Sequence, residues 1–158
     1  MTVAIVGIIA TVAPSLLVGV KNFYLTVNSR NDIQRDARAS LDMINRTLRQ
    51  AKISSVLIDS GTNGSSARVS TAGPYSRIRF RRADNMYCEF RQEGSQLKQV
   101  IGTNTSILSR NLVYLAFTFP RTDDPSLLSV SMTMGKSVQL GQQKVLELTL
   151  QKIRLMNP

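Results

Sequence analysis

The sequence predicts an α+β fold, in which one long N-terminal helix packs against an antiparallel β-sheet. Three features of the hydrophobic pattern support this prediction. The first twenty residues carry no charge, the next thirty carry apolar residues mostly at intervals of three or four, and beyond about residue 75 apolar residues alternate with polar ones. We therefore divide the chain into an apolar helix over 1–20, an amphipathic helix over 21–52 and a β-sheet head domain over 53–158.

The opening segment, MTVAIVGIIATVAPSLLVGV, has the length and composition of a membrane anchor. Twenty helical residues extend about 30 Å, the thickness of the hydrocarbon core of a bilayer. A cleavable secretion signal needs a basic region before the apolar stretch, and a helix buried in a small domain is rarely apolar on every face. We also expect packing on other helices, because small residues recur on one face, and a kink or local opening at Pro14, which removes one helical hydrogen bond. The candidate assembly residues are Gly7, Ala10, Ala13, Pro14 and Leu17.

The amphipathic helix follows at Lys21 and keeps one apolar stripe as far as Ala51. Most of its arginines lie off that stripe, so one side suits solvent and the other suits a protein core. A continuous helix from the first residue to Ala51 would extend about 75 Å. The candidate residues for packing between helix and sheet are Ile33, Ala37, Leu41, Ile44 and Leu48.

The remainder of the chain predicts a loop followed by strands. Residues 54–74 are rich in Ser, Gly, Thr and Asn and predict a long loop with a short strand near 56–58. Alternating segments with short connections then predict an antiparallel meander, whose apolar face the helix covers. We expect Met86, Cys88 and Phe90 to share the core face of one strand, and Leu146, Leu148 and Leu150 to be in phase on the last. The strand segments are SRIRFRR, NMYCEFRQ, QLKQVIG, NLVYLAFTF, LLSVSMTM and KVLELTLQKIRL.

The composition argues against catalysis. The chain has no histidine and one cysteine, Cys88, which removes the usual general base at neutral pH, an intrachain disulfide and any paired-thiol metal site. No phosphate-binding glycine loop or nucleophile elbow is present. We therefore predict no catalytic residue, no metal and no cofactor.

Basic charge is the second strong feature, with twenty Lys and Arg against ten Asp and Glu and a net charge of +10. Alternation places Arg77, Arg79 and Arg81 on one face of a predicted strand, and Arg91 on the neighbouring strand extends that cluster. Clustered like charge destabilises a sheet unless acidic groups or a ligand offset it. Two interpretations stay open: a solvated edge or salt-bridged contact with a neighbouring subunit, and a site for phosphate groups of DNA or another polyanion.

The stretch VAIVGIIATVAPSLL resembles the N-terminal helix of the type IV pilin superfamily, which includes the pseudopilins of type II secretion. SRNDIQRDARASLDMINRTLRQA is similar to the amphipathic continuation of that helix in minor pilins and J-like pseudopilins. IRF, YCEF, LSRNLVYLAFTF and LLSVSMT loosely match the strands of their heads. The basic leader, the cleavage site and the following glutamate of the family are absent from this sequence, so we expect a truncated or misassigned start.

The resemblance implies a structural subunit of a type IV pilus-like or pseudopilus filament. Such a subunit is held in the inner membrane by a single helix and is then assembled with identical or related subunits into a periplasmic or extracellular filament. Two alternatives stay open. One is a DNA-binding minor pilin used for DNA uptake, and the other is a tip pseudopilin that recruits secretion substrates.

Overall fold

The computed structural model describes residues 2–59, 76–121, 123–139 and 143–157, and it describes no side chain for 2–13, 15, 138–139 and 143–146. The side chains of Gly7, Ala10 and Ala13 and most of the predicted loop over 54–74 therefore lie outside the described part. The fold is α+β, as predicted: one long helix packs against antiparallel sheet structure.

Helix α1 covers Thr2–Leu48 and runs without interruption through Pro14 and Asn31. Its 47 residues extend about 70 Å. Burial begins at Ser29, and among the described side chains none before it is buried. Among the described side chains of α1, those buried against the head thus belong to its C-terminal part. In the part of the chain that the structure describes, no helix is long and apolar enough to cross a membrane.

The helix ends where its backbone joins the first sheet. Gln50 N donates to Thr47 O, which tightens the last turn, and Lys52 N then donates to Arg81 O at 2.9 Å. A single 3-10 turn over Ile53–Ser55 follows and leads into the strands. These backbone bonds fix the end of α1 to the head.

In the described ranges, eight strands form two antiparallel sheets. The first sheet has the order β1-β2-β3-β4-β5 and the second has the order β6-β7-β8. Each strand pairs with its neighbour in sequence, so the predicted meander holds within each sheet, although the strands divide into two. The strands are β1 (Leu57–Asp59), β2 (Arg77–Arg81), β3 (Tyr87–Glu93), β4 (Gln96–Ile101), β5 (Asn104–Ser109), β6 (Leu112–Thr118), β7 (Leu127–Gln139) and β8 (Gln143–Arg154).

The core lies between α1 and the two sheets. The five predicted contact residues of the helix are all buried, with exposed fractions between 0% and 5%. They share the core with side chains of both sheets, including Phe80 and Phe90, whose rings stack with centroids 6.2 Å apart. Cys88 is fully buried in the same cluster, where it fills space as a small apolar side chain.

Cys88 and Phe90 share the core face of β3, as expected, but Met86 does not, and the apolar face expected for the last strand is exposed. Met86 is 44% exposed because it lies before the first residue of β3. Leu148 and Leu150 are exposed because β8 turns its other face inward, as the register pairs Thr149 with Met132 and Leu128 with Ile153. Ile153 and Leu155 supply the buried apolar side chains of this end of the chain instead.

Candidate functional site

The predicted arginine cluster lies on the outer face of the first sheet, where a buried carboxylate meets it. Asp59, on β1, is directly opposite Arg77 in the register of β1 and β2. Arg77 Nε donates to Asp59 Oδ1 at 2.5 Å, and Arg79 Nη2 donates to Asp59 Oδ2 at 2.6 Å. The Asp59 side chain is only 9% exposed. One acid thus holds two of the arginines in a partly desolvated pair, in which hydrogen bonds to charged groups are strong.

Glu89, on β3, is the second acid of the cluster. It lies opposite Arg79 and accepts a hydrogen bond of 2.9 Å from Arg91 Nη1. The Tyr87 hydroxyl donates to its other oxygen at 2.5 Å. Arg91 also pairs with Glu93 at 3.3 Å, and Lys98 forms an ion pair with Glu93. The cluster is therefore an internal network of ion pairs across four strands.

The network changes the proton affinity of two of its members. The hydrogen bond to Asp59 raises the pKa of Arg77 above its ordinary value, and the nearby carboxylates act in the same direction. Burial and the hydrogen bond to Glu89 raise the pKa of Tyr87 to about 12. Both groups stay protonated over the physiological pH range, so Arg77 is positively charged and Tyr87 is a neutral hydrogen-bond donor there.

Of the four predicted polyanion-binding residues, Arg77, Arg79 and Arg91 are held by carboxylates of the same chain. Arg81 is exposed and forms no ion pair with the described residues. Sequence reasoning missed Asp59 because the pairing of β1 with β2 spans a long segment of low apolar content. The available signal was Asp59 itself, a single acid at the end of the short strand predicted near 56–58, which precedes the arginine-rich strand.

The second candidate surface is the side of α1 that faces away from the sheets. Residues on it recur every three or four positions, as expected for one face of a helix. We name it the outer helix face. Its residues, all exposed, are Leu17, Val20, Tyr24, Asn28, Asn31, Arg35, Arg38, Asp42, Arg46 and Arg49.

The outer helix face divides into an apolar and a basic half. Leu17 and Val20 are 70% and 66% exposed, and Pro14 near them is exposed as well. The arginines of the basic half form no ion pair with the described residues. Arg49 Nε donates to Asn45 Oδ1 at 3.0 Å, and a shallow, open concavity surrounds this pair at the C-terminal end of the helix. Four exposed arginines of the described helix, Arg35, Arg38, Arg46 and Arg49, therefore lie together on this face.

The described residues offer little for chemistry. Burial raises the pKa of the Cys88 thiol, which makes it a poor nucleophile. Among the described residues, no three His, Cys, Asp or Glu side chains are placed to hold a metal ion.

Comparison of the chain with protein-family models, with curated proteins and with solved structures finds no match. The resemblance to type IV pilins thus rests on the sequence stretches quoted above. The exposed apolar part of α1 and the charge on the outer helix face are independent structural observations.

Proposed function

We propose that this chain is a structural subunit of a type IV pilus-like or pseudopilus filament, and that it assembles through the apolar N-terminal part of α1. The observation that carries the proposal is the exposure of large apolar side chains on the helix before it reaches the head. Leu16, Leu17 and Phe23 are 63%, 70% and 72% exposed. A helix that projects from its own core with such side chains needs a cover.

The energy at stake is large. Between Leu16 and Val27 seven large apolar side chains are exposed. Burial of one such side chain contributes about 1.5–3 kcal/mol, so covering the group contributes on the order of 10 kcal/mol. Lipid can provide the cover before assembly, and neighbouring helices can provide it in a filament. In this proposal the segment lies in the inner membrane before assembly and in a bundle of helices afterwards.

The C-terminal part of α1 has a different task. Ile33 and Ile44 are fully buried against the sheets, so the head is fixed to the helix. The apolar part can then pack with its neighbours while the head stays folded at its end. A subunit of this kind contributes to the filament by packing against its neighbours and needs no catalytic group.

The alternative of a DNA-binding minor pilin draws less support from the sheet. Arg77, Arg79 and Arg91 already pair with carboxylates, so phosphates would have to displace those acids. The alternative of a tip subunit that recruits secreted proteins uses the same helix but ends with a short assembly. Electron microscopy of the assembled product separates this alternative from a filament subunit by length.

The experiment removes detergent from the purified full chain and images the product by electron microscopy. Salt is set at about 0.5 M, where the Debye length is about 4 Å, so that charge on the outer helix face is screened. We expect ordered assemblies from the wild type and none from Phe23→Asp, since a charge in the helix contact is not solvated. Asn104→Asp is the matched control, because it adds the same charge at an exposed position of the head, outside the outer helix face, and it should assemble. Normal assembly of Phe23→Asp would refute the proposal.

A further inference from the structure

The basic half of the outer helix face carries an imbalance of charge that no ion pair with the described residues corrects. It holds four arginines and one acid, Asp42. The nearby acids of α1 point elsewhere: Lys136 Nζ lies 3.1 Å from Asp32 Oδ2, and Asn111 Nδ2 donates to Asp36 Oδ2 at 3.3 Å. Both contacts tie those acids to the head. Only Asp42 is left to meet a partner on this face.

This imbalance bears on which protein can lie against α1. If a second copy packs in parallel and in register, Arg35 faces Arg35 and Arg46 faces Arg46. An axial shift brings Asp42 of one copy near an arginine of the other, but the remaining arginines still face like charge. Like charges at helix-surface distances are destabilising. The basic half therefore opposes the self-association that the apolar half favours.

We propose that the outer helix face docks a helix of a different subunit, whose matching face is apolar along its first half and acidic along its second. This inference rests on the proposed function and specifies the partner within it. Carboxylates opposite Arg35, Arg38, Arg46 and Arg49 form pairs of good geometry, since guanidinium groups bind carboxylates through two donors. The partner is thus a related subunit with complementary charge.

A protein helix fits this surface better than a nucleic acid does. The apolar half, with Leu17, Val20 and Tyr24, is continuous with the basic half, and a phosphate backbone would leave it uncovered. Asp42 lies in the middle of the arginines, where it would repel a continuous track of phosphates. An acidic helix can instead place a polar residue opposite Asp42.

The test uses a charge-inverted copy of this chain as the probe, with Arg35, Arg38, Arg46 and Arg49 all replaced by Glu. Association is measured by energy transfer between labelled full chains in mild detergent, at low and at high salt. We expect the wild type to bind the inverted copy roughly tenfold more tightly than it binds itself at low salt, from four ion pairs of helix-surface strength. This difference in affinity should disappear at high salt. At low salt the inverted copy should also bind itself more weakly than it binds the wild type.

A second inverted copy controls for net charge. It carries Glu at four exposed basic positions off the outer helix face, namely Arg81, Arg110, Lys152 and Arg154. Its overall charge equals that of the first copy, so any tighter binding of the first copy is due to the position of the charges. Circular dichroism and thermal unfolding of both copies verify that they fold, as expected for exposed positions.

The outcomes separate the inference from the proposed function. Wild-type chains that bind each other as tightly as they bind the inverted copy at low salt would overturn the inference and support the proposed function. Equal binding of the two inverted copies would also overturn it. Displacement of the bound inverted copy by a short DNA duplex would overturn it in favour of a polyanion. If no pair associates at any salt, the inference fails together with the proposed function.

Discussion

Replacement of Asp59 by Asn tests whether the arginine cluster is part of the fold or a free binding surface. The substitution keeps the shape of the side chain and removes the charge that Arg77 and Arg79 share. Asp59 is 9% exposed, and the two arginine side chains are 13% and 18% exposed. One guanidinium group would then face an amide NH2 donor, the other would keep only a neutral amide oxygen as its acceptor, and little water could replace the lost carboxylate.

The magnitude follows from these contacts. A hydrogen bond to a charged group contributes about 1.5–3 kcal/mol, and Asp59 accepts one from Arg77 and one from Arg79. Loss of one partner of a fully buried pair costs about 3–5 kcal/mol, and here solvent at the arginines and the neighbouring Glu89 recover a part. We expect Asp59→Asn to lower the free energy of unfolding by about 2–3 kcal/mol. For a domain of this size that loss lowers Tm by roughly 6–10 °C.

The assay is urea and thermal unfolding of the full chain in mild detergent, followed by circular dichroism. Asp123→Asn is the control, because Asp123 and its partner Arg121 are 70% and 63% exposed and their pair should contribute under about 0.5 kcal/mol. A double-mutant cycle with Arg77→Gln should return a coupling of at least about 1 kcal/mol. Equal effects of Asp59→Asn and Asp123→Asn would refute the assignment of a structural network.

Three further predictions concern the core, the alkaline limit and assembly. Ile44→Ala should lower the free energy of unfolding by about 2–4 kcal/mol because Ile44 is fully buried, whereas Met43→Ala beside it should cost well under 1 kcal/mol, as measured by urea unfolding. Because the folded-state pKa of Tyr87 is raised from 10.0 to about 12, the unfolded chain loses this proton first, so stability present below about pH 10 should fall between about pH 10 and 12. Tyr87→Phe should reduce that fall in pH-dependent unfolding, and an unchanged fall in Tyr87→Phe would contradict the assignment. Pro14→Ala restores a helical hydrogen bond and should alter the assemblies seen by electron microscopy with no change in Tm of the head; identical assemblies would count against a role for Pro14.

The long helix and its buried face could be predicted because helical periodicity is local. Ile33 and Ile44 are buried, and they share the apolar stripe that repeats every three or four residues. The same reasoning predicts most strands, since alternation also needs only neighbouring residues. Strand β5 was missed because its sequence, NTSILS, is mostly polar and lies at the edge of its sheet.

Features that depend on long-range pairing could not be predicted. Alternation along β8 gives two candidate faces, and only the register with β7 determines that Ile153 faces the core while Leu148 and Leu150 face outward. The division into two sheets is likewise a matter of tertiary packing. For the candidate site, the arginines on β2 were evident from the sequence, but their neutralisation by Asp59 follows from the pairing of β1 with β2.

Assembly through the apolar part of α1 is tested most directly by sedimentation velocity of the purified full chain after detergent is removed at high salt. We expect the chain to sediment as assemblies much larger than 17.5 kDa, because the apolar side chains of α1 before the head must be covered by other copies. A folded, stable monomer of 17.5 kDa in plain buffer would contradict it, since the projecting helix would then need no cover.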